Sequence, residues 1–68
     1  MDDRKAAIVS EIPRLRRYAR SLLHERDAAD DLVQDCLVRA LSRLDNWQTG
    51  ESPRSWLFTV MHHLFIDQ

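Results

Sequence analysis

Asp27-Ala28-Ala29-Asp30-Asp31-Leu32-Val33-Gln34-Asp35-Cys36-Leu37-Val38-Arg39-Ala40-Leu41-Ser42-Arg43-Leu44 is the stretch whose reading decides the fold. Ala29, Leu32, Val33, Cys36, Leu37, Ala40 and Leu44 recur at steps of three and four, the spacing that lines one face of an α-helix. Asp31, Gln34, Asp35 and Ser42 project from the other face, with Val38 among them. Asp27 is placed to accept from the free backbone N–H groups at the helix start, and the acids after it complement the positive end of the helix dipole. A helix with such a stripe has to bury it against other elements.

Both neighbours are also helical in pattern. Upstream, Ile8, Ile12, Leu15, Ala19, Leu22 and Leu23 follow one helical face. Pro13 would remove a hydrogen bond from a helix interior, so the sequence predicts a break there, with Ser10 as cap of the restarted helix and residues 2 to 9 as a separate short one. Downstream, Asp45-Asn46-Trp47-Gln48-Thr49-Gly50-Glu51 breaks the period and holds the only glycine, which marks a loop of seven residues. Ser52-Pro53 then opens a third principal helix, serine as N-cap and proline at the first position, where its missing N–H costs nothing. Trp56, Leu57, Val60, Met61 and Leu64 form its inward stripe, leaving Val38, Phe58 and Ile66 as the apolar positions of the chain without an internal partner. The expected fold is all-α, a small bundle of three principal helices with a short extra N-terminal helix.

Composition narrows the function. A chain of 68 residues buries only about 60% of its unfolded surface, which leaves little room for an enclosed active site. One Gly and two Pro among 44% hydrophobic residues exclude collagen-like, linker-like and turn-rich β classes. The single Cys36 can form no internal disulfide and begins no zinc site, so stability has to come from packing or from a partner. No apolar run approaches the length of a membrane span, and Met1-Asp2-Asp3-Arg4-Lys5 is too charged for a secretory signal, so the cytoplasm is the expected compartment, without membrane insertion.

The net charge of −1 hides a division along the chain. Residues 1 to 26 carry seven basic and four acidic side chains, residues 27 to 51 two basic and six acidic, and Arg54 balances Asp67 in the remainder. A basic strip followed by an acidic one predicts two different surfaces. Arg14, Arg16, Arg17 and Arg20 cover more than one side of their helix, and salt-bridging to the acids of the next helix accounts for them better than a nucleic-acid patch does.

Conventional chemistry is sparse. Cys36 lies on the apolar stripe, and the adjacent His62 and His63 point to different sides of a helix. No carboxylate pair faces a cleft and no glycine-rich phosphate loop exists, so neither an enzyme nor a metal or cofactor site is expected. Val38 among two acids, an amide and a hydroxyl fits an interface, apolar at its centre and polar around it, although periodicity alone fits a solvated face equally well. Asn46, Trp47, Gln48, Thr49, Arg54, Thr59, His62 and His63 mix aromatic and hydrogen-bonding groups suited to bases. Few of them are cationic, so contact with single-stranded nucleic acid would depend on stacking and pockets, and tryptophans at such spacing more often anchor a core.

Asp27 to Asp35, followed by Leu37-Val38-Arg39-Ala40-Leu41, resembles region 2 of the extracytoplasmic-function sigma factors. Leu44-Asp45-Asn46-Trp47 is similar to the segment leading into that family's promoter-reading loop. Arg54-Ser55-Trp56-Leu57-Phe58-Thr59-Val60 resembles its Arg-x-Trp-Leu-Phe-Thr-Ile helix, and Leu64 to Asp67 its following apolar-plus-Asp run. The resemblance covers the chain from about Ile12 onward and implies a transcription-initiation module spanning residues 1 to 68, without the C-terminal helix-turn-helix domain of complete members. It implies docking on the clamp helices of the β′ subunit of core RNA polymerase through Asp31, Gln34, Asp35, Val38 and Leu41. The loop from Asn46 to Ser52 and the helix after it would recognise and melt the minus-ten promoter element by capturing a flipped base of the non-template strand. An anti-sigma factor is a further implied partner, and a sigma-like decoy that binds such a factor without binding DNA is the alternative. His62-His63 stands where many members have Arg-Asn, which exchanges a fixed positive charge for a side chain ordinarily neutral at pH 7. An ordinary helix-turn-helix reader fits less well, because its turn has three or four residues.

Overall fold

Four α-helices and one 3₁₀ turn follow one another in the computed structural model, which describes residues 3 to 47 and 51 to 67. They are α1 (Asp3–Ser10), α2 (Ile12–Leu22), α3 (Arg26–Ser42), the 3₁₀ turn Leu44–Asn46, and α4 (Pro53–Ile66). Among the described residues there is no strand. The three principal helices and the short N-terminal one are those that the hydrophobic period predicts.

α3 is the centre of the bundle, with α2 on one flank and α4 on the other, while α1 packs on α4 and α2. Its stripe delivers Ala29, Leu32, Val33, Cys36 and Ala40 to the interior. There they meet Ile8 of α1, Leu15 and Ala19 of α2, and Leu57 and Met61 of α4. Each large, fully buried aliphatic side chain contributes about 1.5 to 3 kcal/mol of transfer free energy, so a handful of them carries most of the stability of so small a chain. Small residues at Ala19, Ala29 and Ala40, all buried, let the helices approach closely.

The helix ends differ from the sequence expectation in two places, each for a local reason. Ser10 does not cap α2: it is the last residue of α1, and its hydroxyl donates to the Ala7 carbonyl at 2.8 Å. Glu11 stands at the junction with a helical backbone and gives no side-chain cap, because its carboxylate is drawn to Arg54. Pro13 lies in the first turn of α2, where its missing N–H breaks no helical bond. The cap of α3 is Glu25 and not Asp27. Glu25 has extended backbone (φ −86, ψ 129), and its two oxygens accept from the N–H groups of Asp27 at 3.0 Å and Ala28 at 2.7 Å. These bonds hold the Glu25 carboxyl below its ordinary pKa, since they favour the ionised form.

At α4 the expected cap is in place, Ser52 Oγ accepting from the Ser55 N–H at 3.4 Å. The connection before it is only partly irregular: Leu44 is pulled inward by the 3₁₀ turn, and Arg4 of α1 donates to its carbonyl at 3.4 Å. Phe58 is not left without a partner, for it stacks on Tyr18 of α2 with ring centroids 4.9 Å apart and planes within 6°. Val38 and Ile66 do remain exposed, at 68% and 61%.

Candidate functional site

Because α2 and α4 cover two flanks of α3, a third face of that helix stays in solvent. Asp31, Gln34, Asp35, Val38 and Leu41 all lie on it, exposed and spaced at helical steps of three and four. One exposed aliphatic residue is ordinary, but Val38 and Leu41 are three residues apart and so adjacent on the helix surface. The result is a small apolar spot flanked by two carboxylates and an amide. Val38 also lines a shallow groove of about 330 Å³ with Asp35, Arg39, Ser42, Arg43 and Leu64, a mixed lining in which Val38 and Leu64 are the apolar members.

The second candidate surface starts where α3 ends. Asn46 closes the 3₁₀ turn in an exposed position. Trp47 is half-buried and stacks on Trp56 of α4, centroids 6.0 Å apart and planes within 11°. Its indole N–H donates to the Glu51 carbonyl at 2.8 Å, pinning together the two sides of the connection. Trp47 thus shares the core-anchoring character that its spacing suggests, and one face of its ring is already covered. Gln48 and Thr49 lie outside the described residues.

On α4, Thr59, His62 and His63 are exposed, and the Thr59 hydroxyl donates back to the Ser55 carbonyl at 2.9 Å. Arg54 is engaged elsewhere. Its guanidinium reaches across the bundle to Glu11 in a two-pronged contact, Nε to Oε2 at 3.0 Å and an Nη to Oε1 at 3.5 Å. Glu11 is only 8% exposed, so this ion pair satisfies a carboxylate that would otherwise be buried alone. It ties the α1–α2 junction to the first turn of α4, just after the loop.

Arg14, Arg16, Arg17 and Arg20 do not pair with the acids of α3; among the described residues the resolved ion pair is Arg54–Glu11. Cys36 is fully buried, its thiol aimed at the Leu57 carbonyl at 3.5 Å, and burial pushes its pKa up to about 11, which makes it a poor nucleophile. Among the described residues no group of three His, Cys, Asp or Glu is placed to hold a metal ion. No described helix is long and apolar enough to cross a membrane.

Residues 8 to 62 match the family described as the sigma2 domain of PhyR. The chain is also 44% identical over 64 residues to the "ECF RNA polymerase sigma factor EcfG" of Rhodopseudomonas palustris, a match spanning 94% of this chain and 35% of the relative. The chain belongs to the region 2 domains of extracytoplasmic-function sigma factors. This sigma2 domain is also similar to "RNA polymerase sigma factor YlaC" of Bacillus subtilis, 43% identical over 44 residues, spanning 65% of the chain and 25% of the relative. "ECF RNA polymerase sigma factor SigL" of Mycobacterium tuberculosis is 37% identical over 59 residues, 76% of the chain and 30% of the relative. The chain thus spans between a quarter and about a third of the length of these curated relatives. No solved structure matches it.

The structure of the sigma2 domain adds two features that residue patterns did not single out. Glu11 is the only acid between Arg4 and His24, a lone carboxylate in a basic strip, and that isolation was a legible sign of a specific partner. Two of the four arginines of α2, Arg16 and Arg20, fall at one side of a groove against α3, which their i, i+4 spacing indicates only once the position of α3 is known.

Proposed function

We propose that this sigma2 domain is a binding module of transcription initiation, neither an enzyme nor a cofactor carrier. It docks on core RNA polymerase through α3 and presents the loop and α4 to the non-template strand of the minus-ten element, in the cytoplasm where these partners meet. The observation that carries the reading is the exposed Val38–Leu41 spot flanked by Asp31, Gln34 and Asp35 on the helix whose sequence resembles the family's polymerase-docking helix. Removing the two aliphatic side chains from water supplies affinity, and the carboxylates choose a basic partner surface and fix its register.

For the promoter strand, Asn46, Gln48, Thr49, Thr59, His62 and His63 supply hydrogen-bonding groups, while the paired Trp47 and Trp56 give the loop a stiff base. Capturing a base that has left the stack offsets part of the few kcal/mol that unstacking costs, and so makes DNA opening depend on sequence. Arg54 is assigned here to the positioning of α4 through Glu11, with any strand contact made by the rest of its guanidinium.

That engagement of Arg54 favours one second reading. Arg54 is the only Arg or Lys in α4, and with Glu11 holding it the helix offers little charge for phosphates. A domain that occupies an anti-sigma factor as a decoy, without touching DNA, has no need of such charge.

Two binding measurements test the proposal. Asp31→Lys with Asp35→Lys should weaken binding of core polymerase by at least about tenfold at unchanged helix content, and unchanged affinity removes the docking assignment. A fluorescent minus-ten non-template oligonucleotide should bind better than a scrambled one, with the preference reduced by Asn46→Ala or His63→Ala. Equal binding of both oligonucleotides, insensitive to those changes, leaves the decoy.

A further inference from the structure

α2 and α3 run antiparallel, joined by Leu23, His24 and Glu25, and between them lies an open groove of about 540 Å³. Ile12, Arg16 and Arg20 form one ridge at successive turns of α2, and Arg26, Asp30 and Gln34 form the other at successive turns of α3. Val33 and Leu37 lie between them as an apolar floor, Val33 only 4% exposed. Each ridge extends over two turns, about 12 Å at 1.5 Å per residue, which is the footprint of a short helix.

The groove is polarised. Arg20 and Arg26 flank the α2–α3 turn and so stand at one end, with Arg16 one turn along, whereas Ile12 and Leu37 lie at the other end. The lining holds three guanidiniums against one carboxylate. Arg26 and Asp30 are four residues apart on one helix, a spacing at which ion pairs form, yet among the described residues none joins them. The cations of this groove are thus unmatched by the domain's own acids, although α3 carries several.

We infer that this groove is a docking site for an acidic, amphipathic helical segment of a partner protein. Its carboxylates would lie against Arg16, Arg20 and Arg26, and its apolar side chains would cover Ile12, Val33 and Leu37. Charge complementarity selects the acidic partner. The apolar floor, and Asp30 set among the arginines, favour a peptide helix over a phosphate backbone, which would gain nothing from aliphatic side chains and would be repelled by the carboxylate. Guanidiniums also form planar, two-pronged hydrogen bonds with carboxylates, so their number sets a demand for acids at one-turn spacing. The site is distinct from the Val38–Leu41 spot and shares only Gln34 with the proposed polymerase face.

A displayed library of short helical peptides, randomised on one face and selected against the intact domain, tests this without presupposing a sequence. The enriched peptides should carry two or more acids spaced by one turn at one end and aliphatic residues at the other. They should bind Arg16→Glu/Arg20→Glu at least about tenfold more weakly, and bind Asp31→Lys/Asp35→Lys no more weakly than the parent, which separates this site from the polymerase face. Arg16 and Arg20 are both exposed, so the reversal leaves the core intact, and circular dichroism checks this. No enrichment, enriched peptides lacking acids, or peptides indifferent to Arg16→Glu/Arg20→Glu overturn the inference. So does an oligonucleotide whose binding is lost in Arg16→Glu/Arg20→Glu while the peptides are unaffected, which would make the groove a nucleic-acid site.

Discussion

Glu11 and Arg54 are the pair of residues on which the positioning of α4 turns. Truncating Arg54 to Ala leaves a carboxylate that is 8% exposed without its partner, a loss of about 1 to 3 kcal/mol, moderated because the guanidinium itself is half in water. Glu11→Ala with Arg54→Ala should cost less than the sum of the two single changes, as a double-mutant cycle by urea unfolding would show. Additive losses would mean that the contact has no energetic weight. Cys36 gives a pH signature. Its folded pKa is raised above the ordinary thiol value of 9.0 to about 11, so the buried thiol stays neutral where an unfolded one ionises. Stability from this group is complete below about pH 9 and declines as pH rises toward 11, and Cys36→Ala should lose that part of the alkaline slope. Native protein should also resist thiol reagents that label it at once in denaturant. Glu25 behaves in the opposite sense: its carboxyl is lowered by the backbone N–H groups it accepts from, so its cap is present at neutral pH and is lost on acidification. Glu25→Gln should lower the melting temperature at neutral pH and make little difference in acid.

At the level of elements, the helices and their buried faces were legible because burial on one side leaves a period of 3.6 in the sequence. α3 and α4 show this most directly: Leu32, Cys36, Leu57 and Met61, all predicted inward, are fully buried. Leu32→Ala should therefore cost about 2 to 5 kcal/mol in a denaturant titration, the range for an aliphatic side chain removed from a packed core. What was not legible depends either on the exact backbone path at a helix end or on contacts distant in the chain. A cap preference by residue type points to Asp27, but the chain leaves the extended conformation two residues sooner and puts Glu25 at the helix start. Ser10 is a good cap by type and fails because α1 runs through it. The stacking of Phe58 on Tyr18, forty residues away, has no local signal at all. The proposed polymerase face was legible as an anomaly, an aliphatic residue on a polar stripe, whereas the arginine groove between α2 and α3 exists only in three dimensions.

Across the whole molecule the charge division acquires a spatial meaning. The acidic face of α3 and the basic groove beside it are separate surfaces on one small bundle, and α4 with the 3₁₀ turn before it forms a third, whose one Arg or Lys, Arg54, is held by Glu11. Single-strand binding by the last of these should accordingly depend weakly on salt, with a slope in log Kd against log salt near that of about one neutralised phosphate. A steep slope would mean that the arginines of α2 take part in DNA binding.

On the proposed reading, the exposed face of α3, and not apolar exposure in general, binds core polymerase. Val38 and Val9 are nearly equally exposed, at 68% and 60%, but Val9 lies on α1, away from that face. The dissociation constant of core RNA polymerase for Val38→Glu and for Val9→Glu is the direct comparison. Val38→Glu should weaken binding at least about tenfold while Val9→Glu leaves it unchanged; equal affinities for the two variants would contradict the account.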